Sequence, residues 1–129
     1  MVKNGSQHEY QVRDIFKKYG YACIKGNASG GGSKDNVPDI TVSNSRFSFG
    51  IEVKYRKSDV VYIKKSQIDG LKKFCYTWGA SPIVVVKFYA SPYYVFNVDS
   101  LRLCEKNYRI KRDDIRKSVE LNKFISELE

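Results

Sequence analysis

Between Phe47 and Lys54 the chain alternates: Phe47, Phe49, Ile51 and Val53 are apolar, while Ser48, Gly50, Glu52 and Lys54 are small or charged. A period of two sustained over this length suits a half-buried strand and argues against a helix. One face of that strand enters a core, and the other carries Glu52 and Lys54 side by side. The apolar run Ile40-Thr41-Val42 comes just before it, and the polar Ser43-Asn44-Ser45-Arg46 between them suits a hairpin turn. Such a turn returns Asp39, set between Pro38 and Ile40, towards Glu52. Two carboxylates and one ammonium then converge.

Cleaving a phosphodiester requires a hard cation to offset the charge that develops on the phosphorus oxygens. Mg2+ prefers one or two carboxylates plus waters to a full protein cage. Asp39 and Glu52 meet that demand, with Mn2+ able to substitute, and Lys54 on the same face can orient a water or stabilise the oxyanion. For an isolated E-x-K the simpler reading is an exposed ion pair, with Asp39 a turn residue after proline. The conjunction of Pro38-Asp39 with the strand pattern favours the metal site.

A first helix is expected over residues 6–19, with Val12, Ile15, Phe16 and Tyr19 as its buried stripe. Glu9 lies seven residues before Phe16 and so at the edge of that stripe, where a carboxylate is costly without a cation. Ser6-Gln7-His8-Glu9 also fits a capping box with Ser6 as N-cap. The two roles are compatible, and Glu9 is expected as a third metal-site carboxylate.

In order along the chain these segments are the glutamate-bearing helix, Gly20-Tyr21-Ala22-Cys23-Ile24-Lys25, Ala28-Ser29-Gly30, Pro38-Asp39-Ile40, Ile51-Glu52-Val53-Lys54 and Tyr62-Ile63-Lys64-Lys65-Ser66-Gln67. Together they resemble the archaeal Holliday junction resolvases, members of the PD-(D/E)XK nuclease superfamily. The likeness runs from about Gly5 to Phe88. It implies a restriction-endonuclease-like fold and an acidic metal site of Glu9, Asp39 and Glu52, with the Val53 carbonyl as a further ligand and Lys54 as catalytic lysine. It also implies a catalytic contribution from Ser29 in a glycine-containing loop, and from Gln67 in support of the lysine or a metal-bound water. The same residues otherwise read as a loop serine and an exposed helix position. The family usually has arginine directly after the helix glutamate, where this chain has Tyr10. An arginine at the end of the next strand appears here as Lys25, and Arg13 is the candidate to replace the lost phosphate clamp.

Charge bears on the partner. With 23 Lys+Arg against 14 Asp+Glu the formal charge is +9 over 129 residues, which favours a polyanion through counterion release. The clusters Lys54-Tyr55-Arg56-Lys57, Lys64-Lys65 and Lys72-Lys73 flank the expected site. Arg56, Lys57, Lys64 and Lys65 are the expected DNA contacts, together with Lys34 in the glycine-rich loop and with Arg13 and Lys25, which the resemblance implies. The glycine-rich run 28–36 lacks the ending of a nucleotide-binding loop and is expected to be a mobile DNA-contacting segment, with no small-molecule substrate. Cys23, Cys75 and Cys104 form no C-x-x-C pair and read as reduced core residues of a cytoplasmic protein, of an archaeal cell or archaeal virus if the resemblance holds. No stretch approaches membrane-spanning length and no signal peptide is evident.

The rest of the chain suggests a strand near 21–25, an extended segment at 60–63, and a helix at 66–78 with Ser66 as N-cap, an Ile68, Leu71, Cys75, Trp78 stripe and Gly79 as its stop. Apolar strands at 82–88 and 93–98 and a last helix near 112–128 complete it. The expected architecture is one α/β domain over residues 1–129, a mixed central sheet flanked by helices. The expected function is Mg2+-dependent cleavage of four-way junction DNA, by a homodimer because the junction has two symmetry-related strands. Tyr89, Tyr93, Tyr94 and Phe96 are candidates for its interface, or ordinary strand packing. Other nucleases of the superfamily acting on duplex, flapped or nicked DNA, an RNase H-like resolvase using acids alone, and a noncatalytic module for branched nucleic acid are the alternatives.

Overall fold

The computed structural model describes residues 5–26 and 37–128, so the expectations for Ser29, Lys34 and the glycine-rich run lie outside the described residues. Helix α1 (Gly5–Lys18) leads into β1 (Ala22–Lys25), followed by β2 (Ile40–Ser43) and the long β3 (Ser48–Arg56). Strand β4 (Val60–Lys64) runs directly into α2 (Lys65–Trp78), and β5 (Ser81–Phe88) and β6 (Tyr93–Asn97) follow. The remainder comprises β7 (Arg102–Cys104), β8 (Asn107–Lys111), β9 (Val119–Glu120) and α3 (Leu121–Leu128). Six strands form a mixed sheet in the order β1-β2-β3-β5-β6-β9, in which only β3 and β5 are parallel, and β4-β8-β7 form a separate antiparallel sheet. This is the mixed α/β architecture read from the sequence.

Strand alternation divides the interior into two layers. Ile51 and Val53 of β3 and Ile83 and Val85 of β5 meet Val12 and Phe16 of α1 and Leu121 and Ile125 of α3. The opposite parity of β5, Val84, Val86 and Phe88, meets Ile68, Leu71 and Cys75 of α2 and Val61, Ile63 and Ile110 of the small sheet. A strand buried on both faces reads as the continuous apolar run seen at 82–88. Gly50 belongs to the α2 layer, and a methyl group there would overlap the Cys75 sulfur. We expect Gly50→Ala to cost about 1–3 kcal/mol, read as a lower urea midpoint; an unchanged midpoint would contradict this packing.

Several expectations are corrected. The last helix is short: residues 112–117 form a 3-10 turn and Val119 pairs with Val95 before α3 begins at Leu121. Glu120 resets the register by accepting the Asn122 and Lys123 backbone N–H groups, as a helix-capping side chain does. Ser66 is not the N-cap of α2; Lys64 holds that position without a side-chain cap, and the Lys65 N–H goes to the Lys106 carbonyl at 2.9 Å. Gly79 does stop α2, in a left-handed conformation, and both it and Ala80 donate to the Cys75 carbonyl. Ala80 thereby takes the core position, and Trp78, read as core, is 57% exposed and stacks on Phe74. All three cysteines are free, but only Cys75 is buried; Cys23 and Cys104 are half-buried. Tyr93 and Phe96 are interior, which removes them from the candidate dimer surface, while Tyr89 is exposed.

Candidate active site

The hairpin delivers what its sequence promised. Ile40 pairs with Ile51 in the antiparallel register of β2 and β3. One step further places Asp39 opposite Glu52, on the face away from α1, because Ile40 and Ile51 point into the α1 layer. The register is locked by the Val53 N–H, which donates to Asp39 Oδ2 at 2.9 Å. Lys54, two residues on and on the same face, holds its Nζ 3.7 Å from Glu52 Oε2. Helix α2 closes this face: Asp39, Glu52 and Gln67 line one small pocket with Val37, Pro38 and Leu71.

Electrostatics mark the pair. Burial, then the Asp39 carboxylate, push Glu52 up to about 8, and Lys54 offsets this only in part. Asp39 is raised as well, chiefly by burial and against the lowering effect of the Val53 N–H. Two desolvated carboxylates that resist shared ionisation stand where a divalent cation would relieve both.

Glu9 occupies the other side of the sheet end. It is buried, and its Oε1 lies 3.0 Å from Lys25 Nζ. Lys25 pairs with Ile40 across β1 and β2 and therefore faces α1. Glu9 still acts electrostatically on Asp39 and Glu52. Among the described residues no three His, Cys, Asp or Glu side chains come close enough to form a metal cage. Tyr10 lies under two cations, with Arg13 4.8 Å and Lys25 5.4 Å from its ring centre, and Arg13 is itself paired with Asp14 at 2.8 Å.

Sequence reasoning missed the polar group buried beside Glu9 in the chain. His8 is buried, stacked on Tyr55 at 4.3 Å, and its Nδ1 lies 2.8 Å from the Tyr93 hydroxyl. That hydroxyl also donates to Gln11 Oε1, which leaves His8 Nδ1 as the donor of its own bond. The only available signal was the parity of Tyr55, which continues Ile51 and Val53 into the α1 layer. Of the expected DNA contacts, Arg56, Lys57, Lys64 and Lys65 are exposed, Lys65 being paired with Asp69 at 2.7 Å.

A carboxylate pair with a lysine at the end of a mixed sheet, flanked by helices, defines a nuclease-type α/β protein. A sequence profile described as "Archaeal holliday junction resolvase (hjc)" matches residues 1–129. A crossover junction endodeoxyribonuclease Hjc of Sulfurisphaera tokodaii is 33% identical over 127 residues, 97% of this chain and 88% of that one. A crossover junction endodeoxyribonuclease of Sulfolobus islandicus rod-shaped virus 1 is 34% identical over 73 residues, 57% of this chain and 60% of that one. The solved structure of Archaeoglobus fulgidus Hjc, a Holliday junction resolvase, superimposes with a TM-score of 0.86 at 28% identity, covering 94% of this chain and 99% of that one. The chain belongs to the archaeal Holliday junction resolvase family.

Proposed function

We propose that this chain is a metal-dependent endonuclease that resolves four-way DNA junctions by paired cleavage near the branch point. The observation that carries the reading is the pocket in which Asp39 and Glu52 oppose each other beside Lys54 and Gln67, with Glu52 pushed up to about 8. The donor set fits Mg2+, or Mn2+ in its place: hard oxygens, two carboxylates rather than a cage, and room for water and phosphate oxygens. Asp39, Glu52 and the Val53 carbonyl would hold the ion, with Glu9 as the third acid from the α1 side. When bound, it would supply charge neutralisation at the scissile phosphate and a more acidic water.

The chain's own residues do the rest. The Val53 N–H fixes the Asp39 carboxylate against β3, so that its position does not depend on the ligand. Lys54 is restrained by Glu52, which aims an ammonium at the place where charge develops on phosphorus. Gln67 lines the same pocket and can hold the attacking water by its amide. Ser29, in the segment between β1 and β2, keeps its proposed catalytic contribution. Arg56, Lys57 and Lys64 supply unpaired positive charge for the DNA backbone, with Arg13, Lys25, Lys34 and Lys65 as further proposed contacts.

Two symmetry-related strands call for two sites, and a two-fold homodimer supplies them. Among the described residues no helix is long and apolar enough to cross a membrane, and we place the activity on cytoplasmic DNA. The reading is tested by comparing an end-labelled fixed junction with its linear duplex, in Mg2+ and in chelator. Symmetric nicks near the branch, confined to the junction and to Mg2+, are expected. Equal cutting of the duplex would move the function to another nuclease of this type. Binding without cutting would leave a noncatalytic module.

A further inference from the structure

We infer that the outward face of the small sheet β4-β8-β7 is a second DNA-backbone contact, which carries a duplex arm away from the catalytic pocket; the choice of arm DNA rests on the function proposed above. The face follows from register. Val61 and Ile63 of β4 and Ile110 of β8 point into the core, so the alternate residues point out. These are Tyr62 and Lys64 on β4 and Arg109 and Lys111 on β8, with Arg102 of β7 opposite Arg109. The remaining outward positions, Val60, Cys104 and Asn107, are uncharged.

Arg102, Arg109 and Tyr62 therefore form one row across three strands. Like charges directly opposite on a sheet are destabilising, and a sheet with a free choice of surface residue would not place two arginines there. An anion bound between them removes the penalty. Arg13, Lys25, Lys54, Lys65 and Lys72 each have a carboxylate partner, whereas among the described residues Arg56 and Lys57 next to the site do not. Among the described residues Lys64, Arg102, Arg109 and Lys111 likewise have none, and here they are gathered on one sheet face. Asp59 before β4 and Glu105 in the β7–β8 turn stand at the margins; Asp114 lines a pocket with Arg102 and Arg109, and its carboxylate accepts the Lys111 N–H at 2.7 Å.

The dimensions suit a duplex. Three strands about 4.8 Å apart and five residues of about 3.4 Å each give a face of roughly 10 by 14 Å. Duplex DNA carries one charge per about 1.7 Å of axis, so such a face meets several phosphates. Tyr62 is 53% exposed and adds a hydroxyl donor at the end of the row, the kind of group that contacts phosphate without reading sequence. The face is tied to the catalytic pocket through the chain: β4 runs straight into α2, and Gln67 of that pocket follows Lys64 by three residues.

The test measures binding without cutting, in chelator, of wild type, Arg102→Gln/Arg109→Gln and Arg102→Lys/Arg109→Lys, on a junction and on a linear duplex across a salt series. We expect the glutamine pair to lower the slope of log K against log salt by about 2, near 0.9 per phosphate contact, with the lysine pair keeping the wild-type slope and the melting temperature of the glutamine pair not falling. An unchanged slope in the glutamine pair, or a lysine pair that loses slope equally, would overturn the inference. So would preferential binding of phosphatidylserine vesicles over DNA. The loss is expected on linear duplex as well, so a protein that fails to cut junctions but shows it keeps this inference and loses only the junction reading.

Discussion

Glu52→Gln is expected to abolish junction cleavage, by roughly a thousandfold or more, and at the same time to make the metal-free protein more stable. The two effects have one cause. Burial and the facing Asp39 hold Glu52 at about 8 against an ordinary 4.5, so the folded chain binds that proton more tightly than the unfolded chain does. The stability associated with Glu52 is therefore fully present below about 4.5, declines as pH rises through the interval to about 8, and is flat above it. At pH 8 the ionised pair is a cost to the fold that a neutral amide removes. A gain of about 1–3 kcal/mol in the variant corresponds to a rise of several degrees in Tm. Scanning calorimetry at pH 5 and pH 8 checks it: the gain should be larger at pH 8. Because the cation competes with the same proton, Mg2+ affinity should rise with pH between 6 and 8 in wild type and lose that dependence in the variant. A variant less stable than wild type at pH 8 would show that Glu52 is structurally paired rather than poised for a ligand.

Gly26→Ala is expected to damage both fold and activity from outside the pocket. The Gly26 N–H donates to the Asp39 carbonyl at 2.8 Å, and a methyl group at Gly26 would overlap the Pro38 carbonyl oxygen. That oxygen is backbone and cannot rotate away, so the segment carrying Asp39 must shift. We expect a loss of about 1–3 kcal/mol in stability and a fall of about a hundredfold in cleavage, the scale of an ångström-level misplacement of a catalytic group. Denaturant unfolding and single-turnover cleavage read the two separately. Wild-type values for both would mean that Asp39 is not held by this contact.

These two positions also show what the sequence could and could not say. The strict alternation from Phe47 to Lys54 and the polar turn before it determine a register, and the register determines that Asp39 faces Glu52; that part was legible. Glu9 was legible as a carboxylate at the edge of an apolar stripe, but its partner was not. Lys25, read as a DNA contact, reaches Glu9 because β1 parity turns it towards α1, and a short strand of half-exposed residues carries too weak a pattern to show parity. The small sheet escaped notice for a related reason. Arg102–Cys104 is only three residues long, and in Asn107–Lys111 only Tyr108 and Ile110 alternate. The terminal helix was overextended because Ile115 and Val119, four apart, imitate helical spacing ahead of Leu121, while the side chain that fixes the helix start, Glu120, lies inside that apparent run.

The most direct measurement of the central claim uses a supercoiled plasmid bearing an extruded cruciform, incubated with the protein and Mg2+. A dimer whose two Asp39–Glu52–Lys54 sites cut paired strands within one encounter yields linear plasmid, and Glu52→Gln yields none. Accumulation of nicked circles as the principal product, or equal cutting of a plasmid without the cruciform, would contradict paired resolution by this site.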